Sequence, residues 1–246
     1  MKKIVALVLC LLMVVACFAG CSKEENLPEL VMGTNPAFPP YEMVDDSGKV
    51  IGIDAEIAEA IAGKLGMKLT IKDMEFESLI TAVSGGSIDM VLAGMTVTDE
   101  RKQSVNFSDS YATGIQVIIV KEGSSITLDN MGEHIIGVQS GTTGDIYCTG
   151  DYGEDHVKQY QNGALAVAAL QNGQVDCVVI DNEPAKNFVA SNAGLKILDT
   201  EYTVEDYAIA IAKNNTELLE KVNKALAELK ADGSIDKIVA KYIKAE

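Results

Sequence analysis

The sequence predicts an α/β protein of two similar lobes with a cleft between them, and three observations carry that expectation. From Leu30 onward, strand-like apolar runs alternate with amphipathic helical segments, the pattern of a mostly parallel sheet covered by helices. An internal repeat relates Ala82-Val83-Ser84-Gly85-Gly86-Ser87-Ile88-Asp89-Met90-Val91-Leu92-Ala93-Gly94 to Ala169-Leu170-Gln171-Asn172-Gly173-Gln174-Val175-Asp176-Cys177-Val178-Val179-Ile180-Asp181. Each copy reads helix end, glycine turn, Ile/Val-Asp, apolar strand, and then one residue at the strand's carboxyl end, so Gly94 and Asp181 would occupy equivalent places. Convergent α/β grammar is the plainer explanation of such a match. The third observation is Gly94-Met95-Thr96-Val97-Thr98-Asp99-Glu100-Arg101, which holds the only arginine among 20 cationic residues.

Taken in order, Leu30–Thr34 reads as a strand and Asn35–Tyr41 as a loop stiffened by three of the five prolines. A hairpin around Asp45-Asp46-Ser47-Gly48 follows. Asp54 is placed to N-cap a helix through Leu65 that Gly66 ends. Met67–Ile71 is a strand, Phe76–Val83 a helix and Ile88–Ala93 a strand, after which Thr98 or Asp99 caps a short helix carrying Arg101. Gln116–Val120 and Ile135–Val138 are strands, and a helix starts at Gly141-Thr142-Thr143-Gly144. Gly163–Leu170 is a helix, Val175–Ile180 a strand, Asp181-Asn182-Glu183-Pro184 a helix start and Tyr207–Ala212 a late strand. Leu218–Leu229 and Ile235–Ile243 are amphipathic terminal helices.

The totals narrow the function. The chain has 246 residues, 48% of them hydrophobic, enough for one large domain or two separately cored lobes. A net charge of −16 with scattered lysines argues against nucleic acid and against a basic membrane-binding face. Lys2-Lys3 precede an apolar run, Ile4 to Ala16, too short for a good membrane span and typical of a signal peptide. Phe18-Ala19-Gly20-Cys21 then resembles a bacterial lipoprotein signal. Residues 1–20 would be removed, leaving Cys21 first and lipidated, as with palmitate, and 21–27 would be a polar tether. Phe18 departs from the usual leucine there, and Cys17 is a weaker second candidate. In the body of the chain Cys148 and Cys177 read as two free, buried thiols.

The cleft residues have complementary chemistry. A planar guanidinium grips a carboxylate through two parallel hydrogen bonds, which lysine cannot copy. The bland alternative for Arg101 is a surface ion pair with Glu100 or Asp109. Free N–H groups at the helix start by Thr142 and Thr143 favour an anion, and Asp181 fits an ammonium. Phe38, Tyr41 and Phe76 would pack a side chain. Phosphate competes for Arg101, but the glycine turn lacks the Walker lysine spacing and Asp181 would repel it.

At these residues the chain resembles the polar-amino-acid solute-binding proteins, family 3, that feed ABC importers. The resemblance rests on Gly33-Thr34-Asn35-Pro36-Ala37-Phe38-Pro39-Pro40-Tyr41-Glu42, Gly52-Ile53-Asp54, Gly94 to Arg101, Phe107-Ser108-Asp109 and Gly141-Thr142-Thr143-Gly144. It implies a type II periplasmic-binding-protein fold, with lobe 1 from 28–113 and 206–246, lobe 2 from 114–205, and a two-segment hinge. It further implies that Arg101, Thr142 and Thr143 hold a ligand carboxylate. Asp181 and groups at Gly94 and Thr96 would hold the ammonium, with Asn35, Phe38, Tyr41, Phe76 and Gln139 around the side chain. Asn35 stands where several relatives carry an acid, and Gln139 where a glutamine-binding relative has lysine, so basic, amide and other polar ligands all stay open. The expected protein is a non-enzymatic, cofactor-free and metal-free monomer. It would sit on the outer face of the cytoplasmic membrane or in the periplasm, with a free L-amino acid, a permease and an ATPase as partners. The alternatives are an exported enzyme resembling cyclohexadienyl dehydratases, with Glu183 as its acid, and a ligand-sensing receptor module.

Overall fold

The computed structural model describes residues 27–244. The expected leader, Cys21 and most of the tether lie outside the described residues. Two mixed sheets form the two lobes. The first has the order β5-β1-β6-β14-β7, from β1 (Glu29–Thr34), β5 (Lys68–Asp73), β6 (Met90–Val91), β7 (Val105–Phe107) and β14 (Ala210–Ala212). The first three are parallel, while β14 returns antiparallel to both β6 and β7. The second has the order β10-β9-β11-β8-β12, from β8 (Ala112–Lys121), β9 (Ile136–Gln139), β10 (Val157–Tyr160), β11 (Cys177–Asp181) and β12 (Leu195–Ile197). A sixth strand, β13 (Thr203–Tyr207), pairs antiparallel with the start of β8. A small antiparallel sheet of β2 (Ala37–Phe38), β3 (Glu42–Val44) and β4 (Val50–Ile51) contains the expected hairpin, and β2 lies within the stretch expected to be loop.

The repeat is structural. Asp89 accepts from the Val31 N–H at 2.7 Å and its own N–H returns to the Val31 carbonyl at 2.8 Å; Asp176 does the same to Ile135 at 2.8 Å for both bonds. In each copy an acid after a glycine turn therefore pins the incoming strand to the neighbouring one. The turns match as well, with Gly86 and Gly173 at φ 74° and 71°. The register pairs Met32 with Met90 and Ile136 with Cys177, which brings Gly94 and Asp181 to corresponding strand ends.

The helices cover these sheets. Helix α1 (Ile53–Leu65) buries Ile57, Ala58, Ile61 and Ala62 and closes at Gly66 in the left-handed region. Helix α2 (Leu79–Ser84) is preceded by a 3-10 turn over Phe76–Ser78, so the expected single helix starts tightly wound. The short helix α3 (Arg101–Ser104) carries the arginine: Thr98 Oγ1 accepts from the Arg101 N–H at 3.1 Å, whereas exposed Asp99 pairs with Lys102. Helix α4 (Thr143–Tyr152) is N-capped by Thr142 and α5 (Gly163–Gln171) by Asn162. Helix α6 (Asn182–Ser191) follows Asp181. Helices α7 (Thr216–Ala231) and α8 (Ser234–Tyr242) pack on α1, with Leu218, Val222, Ala225, Leu226 and Leu229 of α7 spaced as one apolar stripe.

Three expectations need correction. Tyr207–Ala212 is not one strand: Tyr207 ends β13 beside β8 in the second sheet, and Ala210–Ala212 is β14 in the first. Asp54 does not cap α1. The residue before the helix is Gly52 at φ 127°, and the Asp54 carboxylate is buried inside, accepting from the Gly94 N–H at 2.8 Å and the Tyr111 hydroxyl at 2.8 Å. The Ile88–Ala93 run is buried, but only Met90–Val91 forms ladder pairs, because the chain turns away at Gly94 (φ 51°).

Candidate functional site

The strand ends of the two sheets face one another across a narrow cavity whose walls nearly meet, leaving free space of about 10 Å3. Asn35, Phe38, Phe76, Gly94, Thr96 and Arg101 line it from one side, with Gln139, Thr142 and Thr143 from the other. Glu42 and Ala93 complete the wall.

Arg101 is 7% exposed. Its Nη1 donates to the Thr96 carbonyl at 2.8 Å and its Nη2 to the Gly141 carbonyl at 3.0 Å, and the guanidinium carbon lies 5.4 Å from the centre of the Phe76 ring. Burial pushes its pKa down and the nearby Glu205 charge opposes the shift; a guanidinium stays charged regardless. This cation therefore rests on carbonyl dipoles and an aromatic face, with no carboxylate among the described residues bonded to it. The Gly141 bond also joins the two lobes. Gln139 Nε2 to Asn35 Oδ1 at 3.0 Å, Ser140 Oγ to Glu77 Oε2 at 2.5 Å and a Gln161–Glu75 bond do the same. Asn35 is itself held by donating to the Met74 carbonyl at 2.9 Å. The lobes stand closed over the cavity.

Helix α4 contributes its N-terminus. The Thr142 side chain accepts from the Asp145 N–H at 3.3 Å, and the N–H groups of Thr143 and Gly144, in the first helical turn, have no partner within the helix. Gly141 adopts φ 74° and an added Cβ would sit 3.0 Å from the Glu77 Cβ, so this turn passes close beneath the facing lobe.

Asp181 and Tyr41 lie behind the cavity wall. Asp181, 7% exposed, accepts from Gln116 Nε2 at 2.8 Å and is bonded by the Tyr207 hydroxyl. Burial raises its pKa well above the carboxylate range, with Glu205 adding to the rise while Gln116 and Arg101 oppose it. Tyr41 stacks on Phe38 at 5.9 Å and meets Tyr207 edge-on at 5.3 Å, and its ring reaches a groove beside α8.

Sequence reasoning gave no site role to five buried polar residues around this site, one of which, Asp54, it read as a helix cap. Glu42 has both carboxylate oxygens buried without a hydrogen-bond partner; burial and then Asp54 push its pKa well up, while burial lifts Asp54 to about 6. Two adjacent buried acids so placed disfavour ionisation of both at once. Both stood inside quoted motifs, and an acid within Ile51-Gly52-Ile53-Asp54-Ala55 was a readable signal. Tyr111, Gln116 and Glu205 carried less signal, although the period of two in Thr203–Tyr207 puts Glu205 on the face of buried Tyr207. Among the described residues no group of three or more His, Cys, Asp or Glu side chains is arranged to hold a metal, and no helix is long and apolar enough to cross a membrane. Cys148 and Cys177 are unbridged and buried, and burial pushes each thiol up to about 12.

Known proteins share this architecture. The chain is 33% identical to a probable histidine-binding protein of Neisseria gonorrhoeae, over all of this chain and 97% of that one. It is 32% identical to the arginine-binding extracellular protein ArtP of Bacillus subtilis, over 96% and 98% of the two chains. The solved structure of an ancestral arginine-binding protein bound to arginine superposes with a TM-score of 0.82 at 44% identity, over 87% of this chain and 98% of that one. Residues 30–245 match one family along their whole length, and the chain belongs to the bacterial extracellular solute-binding proteins, family 3.

Proposed function

We propose that this protein is an exported, Cys21-lipidated substrate-binding component of an ABC importer that captures one free polar or basic L-amino acid by closure of its two lobes. The lobes are assigned as 28–113 with 206–246, and 114–205. The observation that carries the reading is Arg101: a buried guanidinium lining the cavity, bonded to two carbonyls and, among the described residues, to no acid, beside the N-terminus of α4. That combination is complementary to a carboxylate; Thr96 and the Gly94 backbone in the wall, with Asp181 behind them, form the ammonium side of the reading. Phe38 and Phe76 form the apolar walls for the ligand side chain, and Asn35 and Gln139 meet its polar end. The names of the arginine- and histidine-binding relatives support a basic ligand.

A ligand that touches both lobes binds the closed form best and shifts the open–closed equilibrium toward it; a permease then reads the closed shape. Catalysis is not part of the proposal. Glu183, the one acid considered for dehydratase chemistry, pairs with Lys186 at 3.0 Å and is absent from the cavity wall. The test is a thermal-shift panel of the twenty L-amino acids, ornithine, cystine and prephenate on the chain from Ser22 onward. A rise in melting temperature with one or a few amino acids supports the reading. No rise with any amino acid, or consumption of prephenate, overturns it.

A further inference from the structure

Glu205 lies in β13 opposite Gly114 of β8, is 6% exposed, and has no cation among the described residues bonded to it. Its Oε2 accepts three hydrogen bonds: from Thr96 Oγ1 at 3.1 Å, from Gln116 Nε2 at 3.0 Å and from Thr143 Oγ1 at 2.9 Å. Its Oε1 is buried with no partner. A carboxylate only accepts, and a hydroxyl has a single hydrogen to give. Thr96 and Thr143 therefore spend their hydrogens on Glu205, and only lone pairs remain on these two cavity-lining hydroxyls. Gln116 spends both amide hydrogens as well, one on Glu205 and one on Asp181 at 2.8 Å. The cavity is thus sorted by hydrogen-bond direction. Arg101 and the N–H groups at the start of α4 donate; the Thr96 and Thr143 hydroxyls accept.

We propose that Glu205 is a positioning residue that fixes the Thr96 and Thr143 hydroxyls as acceptors for a ligand α-ammonium. On this reading Thr143 works at both ends of the ligand. Its backbone N–H serves the carboxylate, the end to which the family resemblance assigns this residue, and its hydroxyl serves the ammonium. The inference rests on the proposal that the ligand is a free α-amino acid and goes beyond it by assigning the polarity of the site.

The test compares L-arginine with its des-amino analogue, 5-guanidinopentanoate, by titration calorimetry on the wild type and Glu205→Gln. If the thermal-shift panel ranks another amino acid first, that amino acid and its own des-amino acid replace the pair. The amide can donate where the carboxylate only accepted, so the two hydroxyls are released to turn. Affinity for the amino acid should fall at least tenfold in Glu205→Gln, while the des-amino acid changes less than threefold. Equal losses for both ligands, the signature of a merely structural role, overturn the proposal. Should Glu205→Gln fail to fold, Thr143→Val and Thr143→Ser decide: valine should reproduce the selective loss and serine should restore binding. A valine variant that weakens the des-amino acid as much as the amino acid places the hydroxyl at the carboxylate and overturns the proposal. Failure of the wild type to bind any amino acid refutes the amino-acid reading and this inference together. Binding with an unchanged selectivity ratio in the variants refutes the role of Glu205 alone.

Discussion

Replacing Arg101 with lysine keeps the charge and removes the geometry, which makes it the most informative single change. The guanidinium reaches the Thr96 carbonyl at 2.8 Å and the Gly141 carbonyl at 3.0 Å from different nitrogens while lying on Phe76. It can do so and still present an edge to a carboxylate because it has five N–H donors in one plane. A lysine ammonium has three donors at one point and cannot hold both lobes and a bidentate ligand. Loss of one or two charge-assisted hydrogen bonds costs about 3 kcal/mol in total, and at 1.4 kcal/mol per tenfold that is roughly a hundredfold weaker binding. Titration calorimetry at 25 °C on wild type and Arg101→Lys gives the ratio, and thermal unfolding of both without ligand shows whether the variant folds. A folded Arg101→Lys protein that binds within threefold of wild type would refute the assignment of Arg101 to the ligand carboxylate.

Other substitutions probe the frame around the site. An added Cβ on Gly114 would lie 2.6 Å from Asp181 Oδ1 and run into the Tyr207 ring; Gly114→Ala should destabilise by about 1–3 kcal/mol, as overpacking does, and weaken ligand binding more than tenfold, read by urea melts and calorimetry. Thr142→Ala removes the cap of α4 and should cost about 1 kcal/mol in a urea melt. The acid pair predicts a pH dependence with a definite sign. Burial lifts Asp54 from 3.8 to about 6, so the folded protein holds a proton that the unfolded chain has released. Its contribution is constant below about 4, and stability is lost as pH rises through about 6, by roughly 3 kcal/mol from this group. Urea melts from pH 4 to 7 on wild type and Asp54→Asn check this: the variant should flatten the decline, and a wild type that gains stability relative to the variant as pH rises contradicts it.

The alternation of strands and helices, the glycine turns and the repeat were legible because they rest on local rules. Ile/Val-Asp after a glycine turn recurs, and in the structure Asp89 and Asp176 do the same work on Val31 and Ile135. Arg101 stood out as the only arginine in the chain. Asp54 misled because an acid before a helical run is the usual sign of a cap; Gly52 makes that turn instead, which turns the carboxylate inward to Gly94 and Tyr111. Glu205 and Gln116 were hidden for a different reason. Each is an ordinary polar residue in a strand, and it becomes part of the site only because β8 pairs with β13 on one side and β11 on the other, bringing Glu205, Gln116 and Asp181 into one hydrogen-bonded group. Nothing local in the sequence encodes that pairing.

The central claim is that one free amino acid is held between the lobes by its carboxylate and its ammonium together. Titration calorimetry of the twenty L-amino acids, each beside its N-acetyl and its C-amide derivative, tests it most directly. The account predicts one-to-one binding of at least one amino acid with a Kd near micromolar, about −8 kcal/mol, and at least a hundredfold weaker binding when either end is blocked. Equal affinity for a free amino acid and its C-amide, or no binding by any of the twenty, would contradict it.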